Sequence, residues 1–255
     1  LFYPGEPDAL DQAVGGYLKR AAPVAEGAEA AVPKAVIAPH AGYIYSGPVA
    51  ANVYARLAPA REAIRRVVLL GPAHRVPLSG LAVSGADAFL TPLGPVPVDP
   101  AAVEAVLALP QVEMLDAAHE GEHSLEVHLP FLLRVLDRFA IVPIVAGQAG
   151  PDPVAEVLEL LWGGDETLIL ISSDLSHYHD YDTARRRDAE TSRAIEALRP
   201  EAIGPHDACG SMAIGGLLRV AERRGLEART IDLRNSGDTA GPRDRVVGYG
   251  AYLFR

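Results

Sequence analysis

The chain has 255 residues, 49% hydrophobic and 22% charged, with a formal net charge of -10 and one cysteine. That length accommodates one large α/β domain or two small ones, and the acidic balance argues against a non-specific nucleic-acid surface, which draws on clustered Lys and Arg. No apolar stretch approaches a membrane span, the first residues lack the basic-then-apolar pattern of a secretory signal, and a lone cysteine forms no intrachain disulfide, so a soluble, cytoplasmic protein with neither nucleic acid nor membrane as partner is expected.

Asp8 is placed to cap a first helix on which Leu10, Val14, Tyr17, Leu18 and Ala21 share a stripe. Residues Pro23 to Pro33 have no period and read as a tether into a first strand, Lys34 to Ala38. Pro48 sits where a helix takes its first residue, with Val49, Val53 and Leu57 on the buried side. A second strand covers Arg66 to Gly71, short strands cover Leu81 to Ser84 and Val96 to Val98, and Asp99-Pro100 opens a helix carrying Val103, Val106 and Leu107. Phe139 to Val145 reads as a buried strand, and after Asp152-Pro153 the residues Val154, Val157, Leu158 and Leu161 recur at helical spacing. Thr167 to Ile171 is another buried strand. Asp182 to Leu198 is a helix stopped before Pro200, and its Arg185-Arg186-Arg187 run among acidic neighbours reads as a solvated face. Asp207 is placed to cap a helix with Ala213, Leu217 and Ala221 on one stripe and Gly225 at its end; strands Ala228 to Leu233 and Arg245 to Phe254 finish the chain. This alternation predicts the α/β class: a single three-layer α/β/α domain over residues 1 to 255 with a mixed, mostly parallel sheet, residues 1 to 33 being an N-terminal helix and tether packed on it.

Three apolar runs end in a histidine: Val36-Ile37-Ala38-Pro39-His40, Val67 to Leu70 followed by Gly71-Pro72-Ala73-His74, and Leu168 to Ser173 followed by Asp174-Leu175-Ser176-His177. In an open α/β sheet such ends gather at one edge, where ligands bind. Neutral imidazole is the commonest metal ligand, so His40 and His74 read as metal ligands or as loop histidines. Cys209, expected at the second position of its helix, is a third ligand favoured as thiolate by the helix dipole, or a small buried hydrophobe. Asp174 could bind metal, orient a histidine or cap a turn, while His177 could move a proton near neutral pH. His179, Asp180 and Asp182 read as solvated. In the run Glu122-His123-Ser124-Leu125-Glu126-Val127-His128, helical geometry separates the two histidines by about 140°, so at most one reaches the site; Glu122 or Glu126 could supply a carboxylate or lie on the surface. Asn235-Ser236-Gly237-Asp238 could line the crevice or serve only as a turn. There is no nucleophile elbow, Walker loop, dinucleotide fingerprint or paired-cysteine knuckle.

These residues, together with Pro39-His40-Ala41-Gly42-Tyr43, Thr91-Pro92-Leu93-Gly94, Glu122 to Pro130 and Ala208-Cys209-Gly210, resemble the Memo family, whose prokaryotic members are called AmmeMemoRadiSam system protein B, and the likeness runs in order over nearly the whole chain. The resemblance implies a fold like the catalytic subunit of class III extradiol ring-cleavage dioxygenases. It implies one transition-metal ion, iron or copper with zinc as an alternative, on His40, His74 and Cys209, with His177 and Asp174 as catalytic groups. Tyr43, Glu126, His128, His123, Asn235 and Ser236 are then expected around the substrate pocket. A thiolate in place of the dioxygenases' carboxylate favours copper or zinc as much as iron. The function implied is a metal-dependent oxidoreductase acting on a small molecule. The alternatives are a non-catalytic protein that binds a short peptide or phosphate group and works with radical-SAM and AMMECR-type partners, and a metallohydrolase.

Overall fold

Apolar runs build the centre of the sheet in the computed structural model, which describes residues 2–22 and 31–255. The chain runs α1 (Pro7–Arg20), β1 (Ala35–Ala38), α2 (Tyr43–Ala55), β2 (Arg66–Pro72), β3 (Leu81–Val83), β4 (Ala88–Thr91), β5 (Gly94–Pro97), α3 (Pro100–Leu107), β6 (Val112–Met114), α4 (His123–Glu126), α5 (Leu129–Val135), β7 (Ala140–Ala146), α6 (Pro151–Leu161), β8 (Thr167–Ser172), β9 (His177–His179), α7 (Tyr181–Glu196), α8 (Ser211–Arg224), β10 (Ala228–Asn235) and β11 (Val246–Phe254). Of the expected tether, residues 23–30 lie outside the described residues.

The main sheet has the order β10-β11-β1-β8-β2-β7-β3-β6, with β9 paired to β11 and β4–β5 as a separate hairpin. Its centre is parallel: β1 with β8, β8 with β2, and β2 with β7. The pairs β1–β11, β10–β11 and β3–β7 are antiparallel, so the sheet is mixed. Every residue of β1 and β8 is buried, as expected of parallel strands covered on both faces, and this is why they read as continuous Val/Ile/Leu/Ala runs. One helix group, α1, α2 and α5, meets the sheet through α2 at β1, β10 and β11; another, α6 with α8, meets it through α8 at β2 and β8, while α7 lies over β10 and β11.

Three helix starts differ from expectation. Glu6 rather than Asp8 is the N-cap of α1, because Pro7 takes the first helical position that needs no N–H donor. Helix α2 begins at Tyr43, with Pro48 inside it rather than at its start. The carbonyl that loses its donor to Pro48 is that of Ile44, a residue 61% exposed on the outer side of the helix. Helix α8 begins at Ser211 after Gly210, and Asp207 instead accepts from Gly204 N and from Arg187, closing the turn ahead of it. Cys209 therefore precedes its helix rather than lying in the first turn. Asp99 caps α3 as expected, and Gly225 closes α8 with a left-handed φ of 67°.

Candidate metal centre

Strands β1, β2 and β8 end together, and His40, His74 and Asp174 follow them within a few residues. Ligand atoms of His40, His74 and His123 lie within 4.8 Å of one another. The rings meet closely: His40 and His74 have centroids 5.2 Å apart, and His74 stacks on His123 at 4.7 Å. Phe2 closes the far side, stacked on His123 at 4.1 Å. Such proximity needs β2 to pass close under α4. A Cβ on Gly71 would come within 2.8 Å of Leu125 and Ser124, so only glycine fits there.

Hydrogen bonds fix which imidazole nitrogen faces the cluster. Ser172 Oγ donates to the carbonyl of Ser124, so it accepts at 2.6 Å from His40 Nδ1–H, and His40 Nε2 keeps its lone pair. His74 Nδ1–H donates to Glu122 Oε1 at 2.9 Å, leaving its Nε2 free in the same way. Glu122 is 4% exposed and also accepts from the backbone N–H groups of His74 and Ser124. Burial alone would raise its pKa, but these donors outweigh burial and hold it at about 2. His123 Nδ1 is buried with no hydrogen-bond partner, its nearest carboxylate oxygen being Glu122 Oε1 at 3.5 Å. Burial, then the neighbouring imidazoles, push His40 well below the ordinary histidine pKa, and burial and His74 lower His123. Neutral rings with free nitrogens are what a divalent metal requires.

Cys209 Sγ lies 3.4 Å from His40 Nε2 and accepts from Asp174 N at 3.3 Å. Burial, followed by the charge of Asp174, pushes its thiol up to about 12 rather than down, because the sulfur sits ahead of the helix rather than in its first turn. Asp174 is 4% exposed; its Oδ1 accepts from His40 N at 2.8 Å, and Oδ2 is 4.0 Å from His40 Nε2. Burial raises the pKa of Asp174 above the usual carboxylate value. His177 starts β9, opposite Val247 of β11, near enough for its charge to act on His40 and Asp174.

The other expected pocket residues divide. His128 faces inward, 1% exposed, with Nδ1 2.5 Å from Tyr54 OH, so of the two histidines only His123 joins the cluster. The break between α4 and α5 at Val127 and His128 separates them. Tyr43 is buried, with its hydroxyl donating to Val127 O. Glu126 accepts from Tyr3 OH. Asn235 accepts from Gly237 N, and Ser236 Oγ accepts from Val247 N, bracing the strand opposite His177. Sequence reasoning named Glu122 only as one possible carboxylate and passed over Ser172, yet both set imidazole orientation. Their positions beside His123 and ahead of Asp174 were the available signal.

Fold and side chains together define an α/β protein with a histidine cluster that could hold a metal ion, at the carboxyl edge of a mixed sheet. The chain belongs to the Memo family: the family described as Memo-like protein matches residues 1–253. A "MEMO1 family protein" of Aquifex aeolicus (strain VF5) is 38% identical over 237 residues, covering 87% of this chain and 86% of that relative. Another from Archaeoglobus fulgidus is 35% identical over 267 residues, covering 100% and 96%. A third from Aeropyrum pernix is 39% identical over 232 residues, covering 85% and 82%. A solved structure, "uncharacterized protein JW3007 from Escherichia coli K12", is similar with a TM-score of 0.49 and 13% identity, covering 86% of this chain and 98% of that one. No described helix is long and apolar enough to cross a membrane.

Proposed function

We propose that this protein is a metal-dependent oxidoreductase that holds one iron or copper ion, with zinc as the redox-silent alternative. The observation that carries the reading is the pair of locked tautomers: Ser172 and Glu122 hold His40 and His74 so that both free nitrogens converge, with His123 and Cys209 beside them. His40 and His74 would be two ligands, with Cys209 and His123 beside them to complete the set. A bound ion would supply Lewis acidity and one-electron chemistry there. Asp174 positions His40 through its backbone N–H, and His177, at the start of β9, exchanges a proton with the substrate. The set of two or three imidazoles with a thiol suits copper and zinc as well as iron.

Metal-free protein reconstituted anaerobically with Fe(II), Cu(I) or Zn(II), followed by oxygen-uptake measurements with reduced aromatic compounds, tests this. The expected result is one tightly held iron or copper per chain and oxygen consumption that His177→Ala lowers at least 100-fold. Tight binding of zinc alone, with no oxygen uptake under any loading, would overturn the redox assignment and favour metal-assisted hydrolysis.

A further inference from the structure

A cleft of about 1030 Å³ opens beside Cys209, between the ends of β2 and β7 and the start of α8. Its walls come from Pro72 and Ala73, Val76 to Ser79, Ala146 to Gly150, Pro205 and Cys209 to Ala213, and no lining side chain is charged, in a chain that is 22% charged. Aliphatic groups of Val76, Leu78, Ala149 and Met212 dominate it. Lined in this way at the carboxyl edge of the sheet, it has the character of a small-molecule site.

One buried polar side chain on the wall lacks a partner. Ser211 is 3% exposed, yet its hydroxyl makes no hydrogen bond among the described residues. The N–H groups of Met212 and Ala213, in the same helical turn, find no acceptor in the loop ahead of α8. Ser211, Met212 and Ala213 line the cleft next to Cys209, so an acceptor oxygen on a ligand whose remaining surface is apolar suits these donors. A carboxylate or phosphate also suits a helix N-terminus, but no Lys or Arg lines the cleft to neutralise it.

We infer that this cleft binds a neutral, mainly apolar small molecule through one oxygen held at Ser211, and that this molecule is the substrate class of the proposed metal centre. The substrate role rests on the proposed function; the binding does not. The probes are 2-naphthol, neutral at pH 7, and 2-naphthoate, which carries a charge on the same ring system. Calorimetric titrations use metal-free and metal-loaded full-length protein, with metal content measured on the same samples.

2-Naphthol is expected to bind one site per chain in both forms, with 2-naphthoate at least tenfold weaker. Ala149→Trp, a partly exposed wall position outside the metal centre, should weaken 2-naphthol at least tenfold while leaving metal content and thermal unfolding unchanged. Ser211→Ala should weaken 2-naphthol several-fold but leave naphthalene unaffected. Unsaturable 2-naphthol binding, equal affinity for the charged ring, or indifference to Ala149→Trp would each overturn the inference. Binding of 2-naphthol by a protein that takes up no metal would uphold the cleft and overturn the metal centre instead.

Discussion

Glu122 grips His74 at two points: Oε2 accepts the backbone N–H at 2.7 Å and Oε1 accepts Nδ1–H at 2.9 Å. One buried carboxylate thus fixes both the position of the loop after β2 and the direction of its imidazole. Replacing Glu122 by Gln retains one acceptor but loses the charge that holds the tautomer. Metal affinity should fall about 10- to 100-fold, measured by competition with a chelator, and Glu122→Ala should also strand buried donors and destabilise the fold by about 1–3 kcal/mol. Unchanged affinity in Glu122→Gln would show that His74 needs no orienting partner.

His123 and His128 lie five positions apart and separate cleanly in their effects. His123→Ala removes a cluster member that is partly exposed and stacked on Phe2, so metal affinity should drop at least tenfold with little change in stability. His128→Ala leaves Tyr54 OH without its partner in the core, which should cost about 2–4 kcal/mol and leave metal affinity unchanged. Chemical denaturation and metal titration of both variants check the pair.

Cys209 can be distinguished from His123 as a ligand by spectroscopy. Its sulfur is 3.4 Å from His40 Nε2, and in the metal-free protein the thiol is held protonated by burial and by Asp174. Metal binding through sulfur must release that proton. Copper-loaded protein should therefore show a thiolate-to-metal charge-transfer band that Cys209→Ser abolishes; a wild-type spectrum without the band would assign the third position to His123.

The strands that carry the site were legible because parallel strands buried on both faces have to be continuous apolar runs, and those ending at Ala38, Pro72 and Ser172 are. What the sequence concealed was set by local competition. Pro48 resembles a helix start, but Tyr43 follows directly on the His40 loop and the helix runs through the proline, one turn after the exposed Ile44. Asp207 resembles a helix cap, but Arg187 and Gly204 claim its carboxylate. Helical spacing kept His123 and His128 from sharing the site, but the inward turn of His128 and the burial of Glu122 also depend on where α4 breaks, which spacing does not locate.

Asp188 predicts a pH signature in stability. It is 2% exposed, accepts from Ser176 N at 3.0 Å, and packs where a Cβ on Gly248 would collide with its carboxylate at 2.1 Å. Burial pushes its pKa up to about 6 in spite of the Ser176 donor. Because the folded protein holds this proton more tightly than the unfolded chain, the stabilisation is full below the ordinary value of 3.8 and is lost as pH rises through about 6. Asp188→Asn, which keeps an acceptor for Ser176 without the buried charge, should be more stable than wild type by about 1–3 kcal/mol at pH 7.5 and gain nothing at pH 4. Urea unfolding across that range checks the crossing; parallel curves for the two proteins would contradict it.

Elemental analysis of metal bound per chain, on wild type and on the His40→Ala and His74→Ala variants after identical reconstitution and gel filtration, tests the central claim most directly. The convergence of two locked imidazoles predicts one transition-metal ion per wild-type chain and less than a tenth of that in either variant, with each variant still folded by circular dichroism. Metal retained in full by the folded variants, or absent from the wild type, would contradict it.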